Sequence, residues 1–594
     1  MARLTQPFHT FIAALGRVVR NRQLVLFVLG LIVGAVAAGG AIAFRDLIGL
    51  IQTGALGFGS EKVHTLAAQQ PWWRVLAAPA LGGLLVGLFL YYVMPGRRSQ
   101  GVPDVMEATA LRSGRMGIGA GLAAALASAA SVGFGASVGR EGPVVHLGAS
   151  LASWIAQRLH LSRPLMRTLI GCGVASAIAA SFNAPIAGVF FALEVVVGHY
   201  ALSSFAPIVI ASVVGTVVTR VYYGNFPAFI IPERTITSFL EFPAFALLGV
   251  VSAVVAIAFI KATCLVEDGM KRVPLPVWSK PAIAGLVLGI VALWYPQVLG
   301  IGYETTDMAL AESFTLGMLV TLLVLKLAMT ALCLGSGFAG GVFSPSIVLG
   351  ALAGGAFGIL ATDAFPHLSS GPGAYVIVGM GAVGGAVLGA PISTILIIFE
   401  LTSNFTLTIA VMIGVVIATV ITQQVMGHSF FTRLLERRGI SLSGGREISL
   451  LKSRHVADIM RADFEQVTAD LRLPSVRARL QADPHGELFV VAADGSGRLA
   501  GTITLHDLAE AAFDTSRDNT LSAADVARAN PPAVLVTADL EEARRVIENA
   551  AEDQIAVVSD DESRRLVGYL RERDVMQAYQ AALMQVRAEE RGEA

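Results

Sequence analysis

Two charged residues, Arg140 and Glu141, stand in the segment GREGP (139–143) between two long apolar runs. An acidic side chain in a membrane span costs about 2.5–3.5 kcal/mol on insertion scales, so such acids are rare and usually functional. Glu141 stands two residues before Pro143, a residue type that often begins a helix. The free N–H groups of a helix start attract a carboxylate and a permeating anion alike. We therefore expect ionised Glu141 to block an anion path and protonated Glu141 to open it, unless the glutamate only caps the helix and pairs with Arg140.

The segment around Glu141 has a counterpart in the second half of the chain. GREGPVVHLGASLAS (139–153) matches GVFSPSIVLGALAGG (341–355), and NAPIAGVFFALE (183–194) matches GAPISTILIIFE (389–400). Repeated short apolar segments that Gly and Pro interrupt are typical of discontinuous helices whose ends meet near the bilayer midplane. We expect the prolines to stand at the first helical positions. Helix N-termini that converge from both halves would bind an anion through backbone N–H groups, whereas the alternative is that Gly and Pro only mark close helix packing.

The composition of the chain is that of a membrane protein. Of its 594 residues, 54% are hydrophobic and 14% charged, against about 25% charged in soluble domains. Apolar runs long enough to span a bilayer include 25–45, 76–94, 242–260 and 407–425. Because arginines precede the first run and follow the last, both termini are expected in the cytoplasm. The first run is too long for a signal peptide, so it is predicted to be a transmembrane helix.

Charge and cysteine usage exclude several functions. The 43 basic and 43 acidic residues balance, so nothing favours a nucleic-acid partner. Cys172, Cys264 and Cys333 stand singly in apolar runs, which predicts neither a metal site nor a disulfide framework. The sequence also carries no pattern that supports enzymatic activity.

Charged segments of ordinary soluble length begin after about residue 445. Two similar units follow, each with a short helical start (455–460 and 523–529) and then a strand-like run with a turn (487–508 and 554–575). The alternation of β-branched runs with amphipathic helices predicts an α/β unit twice over.

The ends of the two units resemble tandem CBS domains, which pair into a module that often binds adenosine nucleotides. The resemblance rests on Gly501, Thr504, Asp507, Gly568 and Asp574. An acid at a helix start can accept hydrogen bonds from ribose hydroxyls beside the phosphate-friendly helix N-terminus. The resemblance therefore implies a possible ATP or AMP site at Thr504, Asp507 and Asp574. Two observations weaken that expectation: such acids also serve only to stabilise their helices, and Arg571 stands where the pattern prefers Ser or Thr.

The membrane segments resemble the CLC family of chloride channels and proton/chloride exchangers, of the prokaryotic type with a C-terminal tandem CBS pair. The resemblance covers nearly the whole chain and rests on SQGVP (99–103), GREGP (139–143) and GGVFSP (340–345). It implies an all-α polytopic membrane protein with two inverted repeats of discontinuous helices, followed by a cytosolic α/β CBS module. It also implies a homodimer with one pore per subunit, chloride as the substrate and no required cofactor. Glu141 would be the gate, and the implied anion-binding residues are Gln100, Gly101, Arg140, Gly142, Val342, Phe343 and Phe431.

Three positions depart from the family pattern. Gln100 stands where many members have serine, but it can still donate through its amide. Phe431 stands where a tyrosine hydroxyl usually closes the inner side, and it has no donor, so the central anion would be held less tightly. Val195 occupies the position of the inner glutamate of proton-coupled members, and a valine cannot relay a proton. We therefore expect a passive, Glu141-gated chloride channel regulated by the CBS domains. The alternative is proton-coupled exchange through a water chain or Glu194, although we expect Glu194 to be a buried acid bonded to neighbouring backbone.

Two other classes fit the sequence less well. A CBS-containing cation transporter would need several oxygen ligands, but the core motifs carry only Glu141, Glu194 and Glu400, far apart in sequence. A membrane-anchored nucleotide sensor would not need duplicated discontinuous helices. We expect the protein in a plasma membrane, specifically a bacterial inner membrane. The predicted division is a cytosolic segment 1–22, a transmembrane domain 23–442, CBS domains 443–516 and 521–583, and a tail 584–594.

Overall fold

The computed structural model describes residues 22–198, 200–225, 229, 236–440, 454–483, 486–508, 518–550 and 554–591. The chain divides into two compact units, Met1–Ser441 and Leu442–Ala594. Most of the predicted N-terminal segment and the start of the first predicted CBS domain lie outside the described residues.

The first unit is built from helices. In chain order they are α1 (Arg22–Leu56), α2 (Val63–Ala67), α3 (Trp72–Val93), α4 (Val102–Leu111), α5 (Ile118–Gly133), α6 (Glu141–Arg158), α7 (Arg163–Phe182), α8 (Pro185–Phe191), α9 (Leu202–Tyr223), α10 (Phe242–Arg272), α11 (Lys280–Ala292), α12 (Tyr303–Leu310), α13 (Leu316–Ser336), α14 (Phe343–Ala364), α15 (Pro372–Leu388), α16 (Pro391–Thr402), α17 (Phe405–Met426) and α18 (Phe430–Glu436). Among the described residues, eight helical segments are long and apolar enough to cross a membrane. The predicted all-α membrane fold is confirmed.

Equivalent helix crossings in the two halves reproduce the sequence repeat. Helix α6 crosses α7 where a Cβ atom on Gly148 would lie 2.5 Å from the Gly173 carbonyl oxygen. Helix α14 crosses α15 where a Cβ atom on Gly350 would lie 2.2 Å from the Gly379 carbonyl oxygen. Both distances are far inside van der Waals contact, so only glycine allows the backbones to approach this closely. Close packing therefore explains these glycines, but it does not account for the helix starts beside them.

The two halves also cap each other's helices. The Glu194 carboxylate accepts a hydrogen bond of 2.8 Å from the backbone N–H of Ser393, at the start of α16. The Glu400 carboxylate accepts one of 2.8 Å from the backbone N–H of Ala187, at the start of α8. A carboxylate at a helix N-terminus satisfies free N–H donors and complements the helix dipole. The exchange is reciprocal because each acid ends one repeat segment and binds the start of its counterpart.

The predicted position of the prolines is correct for one pair and wrong for the other. Pro185 and Pro391 are the first residues of α8 and α16. Pro143 and Pro345 are instead the third residues of α6 and α14. The first four N–H groups of a helix have no partner within it, so proline is tolerated throughout the first turn. Glu141 therefore lies inside the first turn of its helix and does not precede it.

The second unit contains two small mixed sheets. Its elements are β1 (Gln466–Thr468), α19 (Leu473–Ala482), β2 (Glu487–Val491), β3 (Leu499–Thr504), α20 (Ala523–Val526), β4 (Arg528–Ala529), β5 (Ala533–Leu535), α21 (Leu540–Ala550), β6 (Gln554–Val558), β7 (Leu566–Arg571) and α22 (Glu572–Arg591). The sheet orders are β1-β2-β3-β4 and β5-β6-β7. In each sheet a parallel pair precedes an antiparallel pair. The predicted pair of α/β units is confirmed.

The leading segment of each α/β unit pairs with the other unit. Val456 donates its N–H to the Ala538 carbonyl at 2.9 Å, and Arg461 exchanges two backbone hydrogen bonds with Tyr569 on β7. Conversely, β4 pairs with β3, with Gly501 opposite Ala529. Each leading segment thus forms backbone hydrogen bonds with the unit that it does not precede in the chain. Local patterns do not reveal which of two similar sheets a segment joins.

Candidate functional site

Two helix starts from opposite halves meet at a backbone bridge. Gly139 and Gly341 exchange two N–H···O hydrogen bonds of 2.7 Å, immediately before α6 and α14. A Cβ atom on Gly142 would lie 3.2 Å from the Gly341 Cα atom, so the two backbones are in close contact. The bridge sets the N-terminus of α14 beside the Glu141 side chain.

Glu141 lies at this junction and is 1% exposed. Its Oε2 atom accepts a hydrogen bond of 3.3 Å from the backbone N–H of Ser344, in the first turn of α14. Its Oε1 atom accepts one of 2.8 Å from the Tyr303 hydroxyl and lies 4.0 Å from Nε of Arg140. The described contact to a helix start therefore involves the opposite half, whereas the sequence led us to expect the helix that carries Glu141.

Tyr303 is a site residue that the sequence analysis did not identify. It is the first residue of α12 and is 4% exposed. Its ring packs against Phe229 with 4.8 Å between ring centroids, and the Arg140 guanidinium lies 4.9 Å from its centroid. The only local signal is a tyrosine after Gly302 between apolar runs, which indicates no particular chemistry.

One buried and one partly buried contact fix the segment that carries Tyr303. The Lys326 ammonium donates hydrogen bonds of 3.0 and 2.8 Å to the carbonyl oxygens of Val298 and Gly300. On the other side, the Glu304 carboxylate accepts a bond of 2.8 Å from the backbone N–H of His64 at the start of α2. Lys326 is buried and lies on α13. Its hydrogen bonds therefore tie the chain just before Tyr303 to this helix. The hydroxyl is thereby held in place.

A cavity of about 550 Å³ reaches Glu141 from one side. Its wall includes seven of the predicted site residues: Gln100, Gly101, Glu141, Gly142, Val342, Phe343 and Phe431. We call it the Phe431 cavity. Three helices, α4, α6 and α14, begin at this wall, as expected for converging helix starts. The Phe431 side chain presents no hydrogen-bond donor to the cavity.

The wall of the Phe431 cavity carries more basic than acidic side chains. The basic ones are Arg97, Arg98, Lys271, Lys280, Arg437 and Arg438, and the acidic ones are Asp104, Glu141 and Glu267. Asp104 is already paired with Arg98 at 2.6 Å and with Arg438 at 3.2 Å. The surplus positive charge favours anions in the Phe431 cavity.

Arg140 lines a second cavity, of about 350 Å³, together with Arg45, Glu61 and Tyr303. We call it the Glu61 cavity. One Glu61 oxygen accepts a hydrogen bond of 2.8 Å from Arg140 and lies 3.0 Å from Arg45. Because Tyr303 lines this cavity and Glu141 lines the other, the bond between them lies where the two cavities approach each other.

Val195, at the predicted proton-relay position, lies in a π-helical turn, Ala192–Val197, that continues α8. It is 9% exposed and carries no titratable group. The neighbouring Glu194 lines neither the Phe431 cavity nor the Glu61 cavity. Its carboxylate binds backbone N–H groups, as the structural alternative predicts, but those groups belong to α16 in the other half.

In the second unit, the three predicted nucleotide-binding residues are engaged within the protein. The Asp507 carboxylate accepts a bond of 2.8 Å from the N–H of Thr504 and lies 3.2 Å from Arg528. Burial raises the pKa of Asp507, but the Thr504 bonds and the Arg528 charge outweigh it and hold that pKa below its usual value. Asp574 accepts a bond of 2.7 Å from Arg461. A ribose at Asp574 would therefore have to displace a guanidinium.

Comparison with known families gives two matches. The family described as voltage gated chloride channel matches residues 82–423, and the CBS domain matches residues 456–514 and 523–581. A ClcB-like protein of Ralstonia nicotianae is 32% identical over 410 residues, which are 68% of this chain and 95% of that protein. The H(+)/Cl(-) exchange transporter ClcA of Cronobacter sakazakii is 28% identical over 437 residues, or 70% of this chain and 90% of that protein.

Solved structures share the fold at low sequence identity. A slow cyanobacterial Cl-/H+ antiporter aligns with a TM-score of 0.63 at 21% identity, covering 70% of this chain and 97% of that chain. A eukaryotic CLC transporter aligns with a TM-score of 0.60 at 19% identity, covering 92% of this chain and 97% of that chain.

Proposed function

Since the chain belongs to the voltage-gated chloride channel (CLC) family, whose members transport anions across membranes, we propose that it conducts chloride passively along a path that Glu141 closes. The observation that carries this proposal is the position of the Glu141 carboxylate, which binds the start of α14 where the two cavities approach each other. A tethered carboxylate there takes the place of a permeating anion. Protonation removes its charge and releases the path.

Helix starts supply the anion affinity. An ion in a low-dielectric medium loses tens of kcal/mol of hydration, whereas one exposed helix end returns only about 0.3–1 kcal/mol. One end is insufficient, but three helices begin at the Phe431 cavity and offer direct N–H donors beside Val342 and Phe343. Partial charges on N–H groups hold an anion without trapping it as a full positive charge would. Gln100 adds an amide donor at the same wall.

Passive conduction is supported by Val195 at the inner proton position and by the use of Glu194 as a helix cap. Proton-coupled exchange is the second candidate, because the ClcA relative is named an exchanger and the cyanobacterial structure is that of an antiporter. Exchange would require a water chain in place of the missing carboxylate.

Reversal potentials of the purified protein in planar bilayers separate these candidates. Under a chloride gradient, we expect the potential to follow chloride alone and to stay unchanged when a proton gradient is added. A consistent displacement by the proton gradient would establish exchange. Absence of any anion current or flux, in the wild type and in Glu141→Ala alike, would overturn anion transport itself.

We assign the Phe431 cavity to the cytoplasmic side, because Arg437 and Arg438 on its wall immediately precede the C-terminal unit. This agrees with the arginines that flank the first and last apolar runs and with cytoplasmic termini. The assembly would be a homodimer with one path per subunit in a bacterial inner membrane. Mass measurement in native lipid particles tests the dimer, and a single-subunit mass would contradict it.

We assign an adenine nucleotide to the CBS pair, with Thr504 and Asp507 at the ribose. The support is the Thr504–Asp507 pairing just after β3, where a carboxylate oxygen is held close to the backbone. Calorimetry of the full-length protein with ATP and AMP is expected to detect binding that weakens in Asp507→Asn. No heat and no thermal shift with either nucleotide would remove this assignment.

A further inference from the structure

The Glu61 cavity contains a carboxylate where two guanidinium groups converge. Arg45 on α1 and Arg140 just before α6 both approach the same oxygen, Oε1 of Glu61, at 3.0 and 2.8 Å. Two arginines from separate elements aimed at one oxygen atom form the geometry in which guanidinium groups bind small anions. The oxygen of Glu61 occupies the position that such an anion would take.

We propose that Arg45 and Arg140 form an anion-binding site in the Glu61 cavity, which Glu61 occupies until a small monovalent anion displaces it. The proposal rests on the proposed function, because the ligand is the transported halide. It repeats in the Glu61 cavity the arrangement proposed at Glu141, where a tethered carboxylate also stands in for an anion. Arg140 links the two positions, since its guanidinium binds Glu61 and lies 4.0 Å from Glu141.

Glu61 can leave Arg140 because the two side chains differ in burial. The Glu61 side chain is 43% exposed, so its carboxylate can turn into water, and an ion pair of this exposure is weak. The Arg140 side chain is 8% exposed and remains in place against the Tyr303 ring. Once Glu61 has turned away, a buried guanidinium faces a cavity of about 350 Å³, which is large enough for a hydrated halide.

The other acid of this cavity offers a matched control. Asp46 lines the same cavity, but its carboxylate accepts hydrogen bonds of 2.6 and 3.0 Å from the hydroxyls of Tyr223 and Tyr222. Asp46→Asn therefore removes the same charge from the same space without releasing Arg140. Any effect of general electrostatics would appear equally in Asp46→Asn and Glu61→Gln.

The test measures chloride current in planar bilayers as chloride is varied on the Glu61 side. In Glu61→Gln we expect the half-saturating concentration to fall about two- to five-fold, the range of a partly exposed ion pair. Arg45→Gln should raise it, and Asp46→Asn should leave it close to that of the wild type. An unchanged value in Glu61→Gln, or an equal fall in Asp46→Asn, would overturn the site.

A structural readout separates this proposal from the proposed function. Crystals of Glu61→Gln grown in bromide should give an anomalous peak between the guanidinium groups of Arg45 and Arg140. Bromide density only at the start of α14 would refute the additional site while supporting the gate. If no variant and no wild-type protein carries chloride, the proposed function fails, whereas chloride current with unaltered half-saturation rejects only the Glu61 site.

Discussion

The Tyr303 hydroxyl donates a hydrogen bond of 2.8 Å to Oε1 of Glu141, and both side chains are almost completely buried. A hydrogen bond to a charged acceptor is stronger than one between neutral groups, and it favours the ionised carboxylate. The Glu141 carboxylate, which we propose as the gate, is therefore held on one side by the start of α14 and on the other by a phenol.

Tyr303→Phe should weaken the hold on the Glu141 carboxylate. The variant keeps the ring against Phe229 and Arg140 but removes the hydroxyl that donates to Glu141. Because a hydrogen bond to a charged group contributes about 1.5–3 kcal/mol, we expect the midpoint of chloride flux against external pH to rise. Liposome flux at graded external pH measures it.

Tyr375→Phe is the matched control for that experiment. Tyr375 is also buried in the membrane unit, on α15, and it has no described bond to Glu141. Its pH midpoint should equal that of the wild type. A wild-type midpoint in Tyr303→Phe would mean that the phenol does not stabilise the closed gate.

Glu141→Gln should give chloride flux that no longer depends on external pH. The amide is neutral at every pH, so it lacks the charge that holds the side chain at Ser344. The measurement is initial flux over the range of external pH in which the wild-type flux changes. Loss of flux with a retained halide site would show that Glu141 is not a gate.

Lys326→Met should weaken the hold on Glu141 indirectly, through the segment that carries Tyr303. Its ammonium is replaced by a thioether, and the carbonyl groups of Val298 and Gly300 lose their described donor. Leaving a buried acceptor unpaired costs about 1–3 kcal/mol, so the thermal unfolding temperature should fall. The pH midpoint should also rise, because the segment before Tyr303 is released. Lys261→Met, at an exposed lysine on α10, should change neither quantity. Reduced stability with an unmoved midpoint would separate Lys326 from the gate.

The sequence was sufficient for features that depend on local backbone chemistry. Pro185 and Pro391 start helices because proline lacks the N–H that a helix start leaves unbonded, and this property acts wherever proline stands. The repeat of Gly and Pro therefore predicted the discontinuous helices. Membrane spans followed equally from the length of the apolar runs.

Contacts between distant segments could not be predicted from the sequence. Tyr303 and Glu141 are 162 residues apart, and neither flanking segment indicates that they meet. Glu194 was expected to bind backbone, but its partner in α16 lies 199 residues away. The residues of the Glu61 cavity likewise stand in separate elements, so their convergence appears only in three dimensions.

The CBS pair should lose an ion pair at low pH. The side-chain hydrogen bond from Arg461 lowers the pKa of Asp574 below its usual value. A carboxyl group with a lowered folded-state pKa stabilises the fold above its unfolded-state pKa of about 3.9, and this stabilisation is lost as pH falls through the folded-state pKa. The protection of β7 amides, measured as exchange relative to the intrinsic rate at the same pH, should therefore fall at acidic pH in the wild type. In Arg461→Met this protection should already be lower at pH 7 and should change less on acidification. An equal acid response in both proteins would contradict this role of the pair.

The reciprocal caps provide a test of proton coupling, because the cap from one half of the repeat serves as the control for the cap from the other half. Glu194→Gln and Glu400→Gln each remove a carboxyl cap from a helix start in the opposite half. Caps contribute about 0.5–2 kcal/mol, so each variant should lower the unfolding temperature by a similar amount. If Glu194 serves only as a cap, both variants should keep a reversal potential that follows chloride alone. If the wild type proves to be an exchanger and Glu194→Gln alone abolishes its response to a proton gradient, then Glu194 carries the proton. Since Glu400→Gln loses an equivalent cap, a change confined to Glu194 could not be attributed to lost stability.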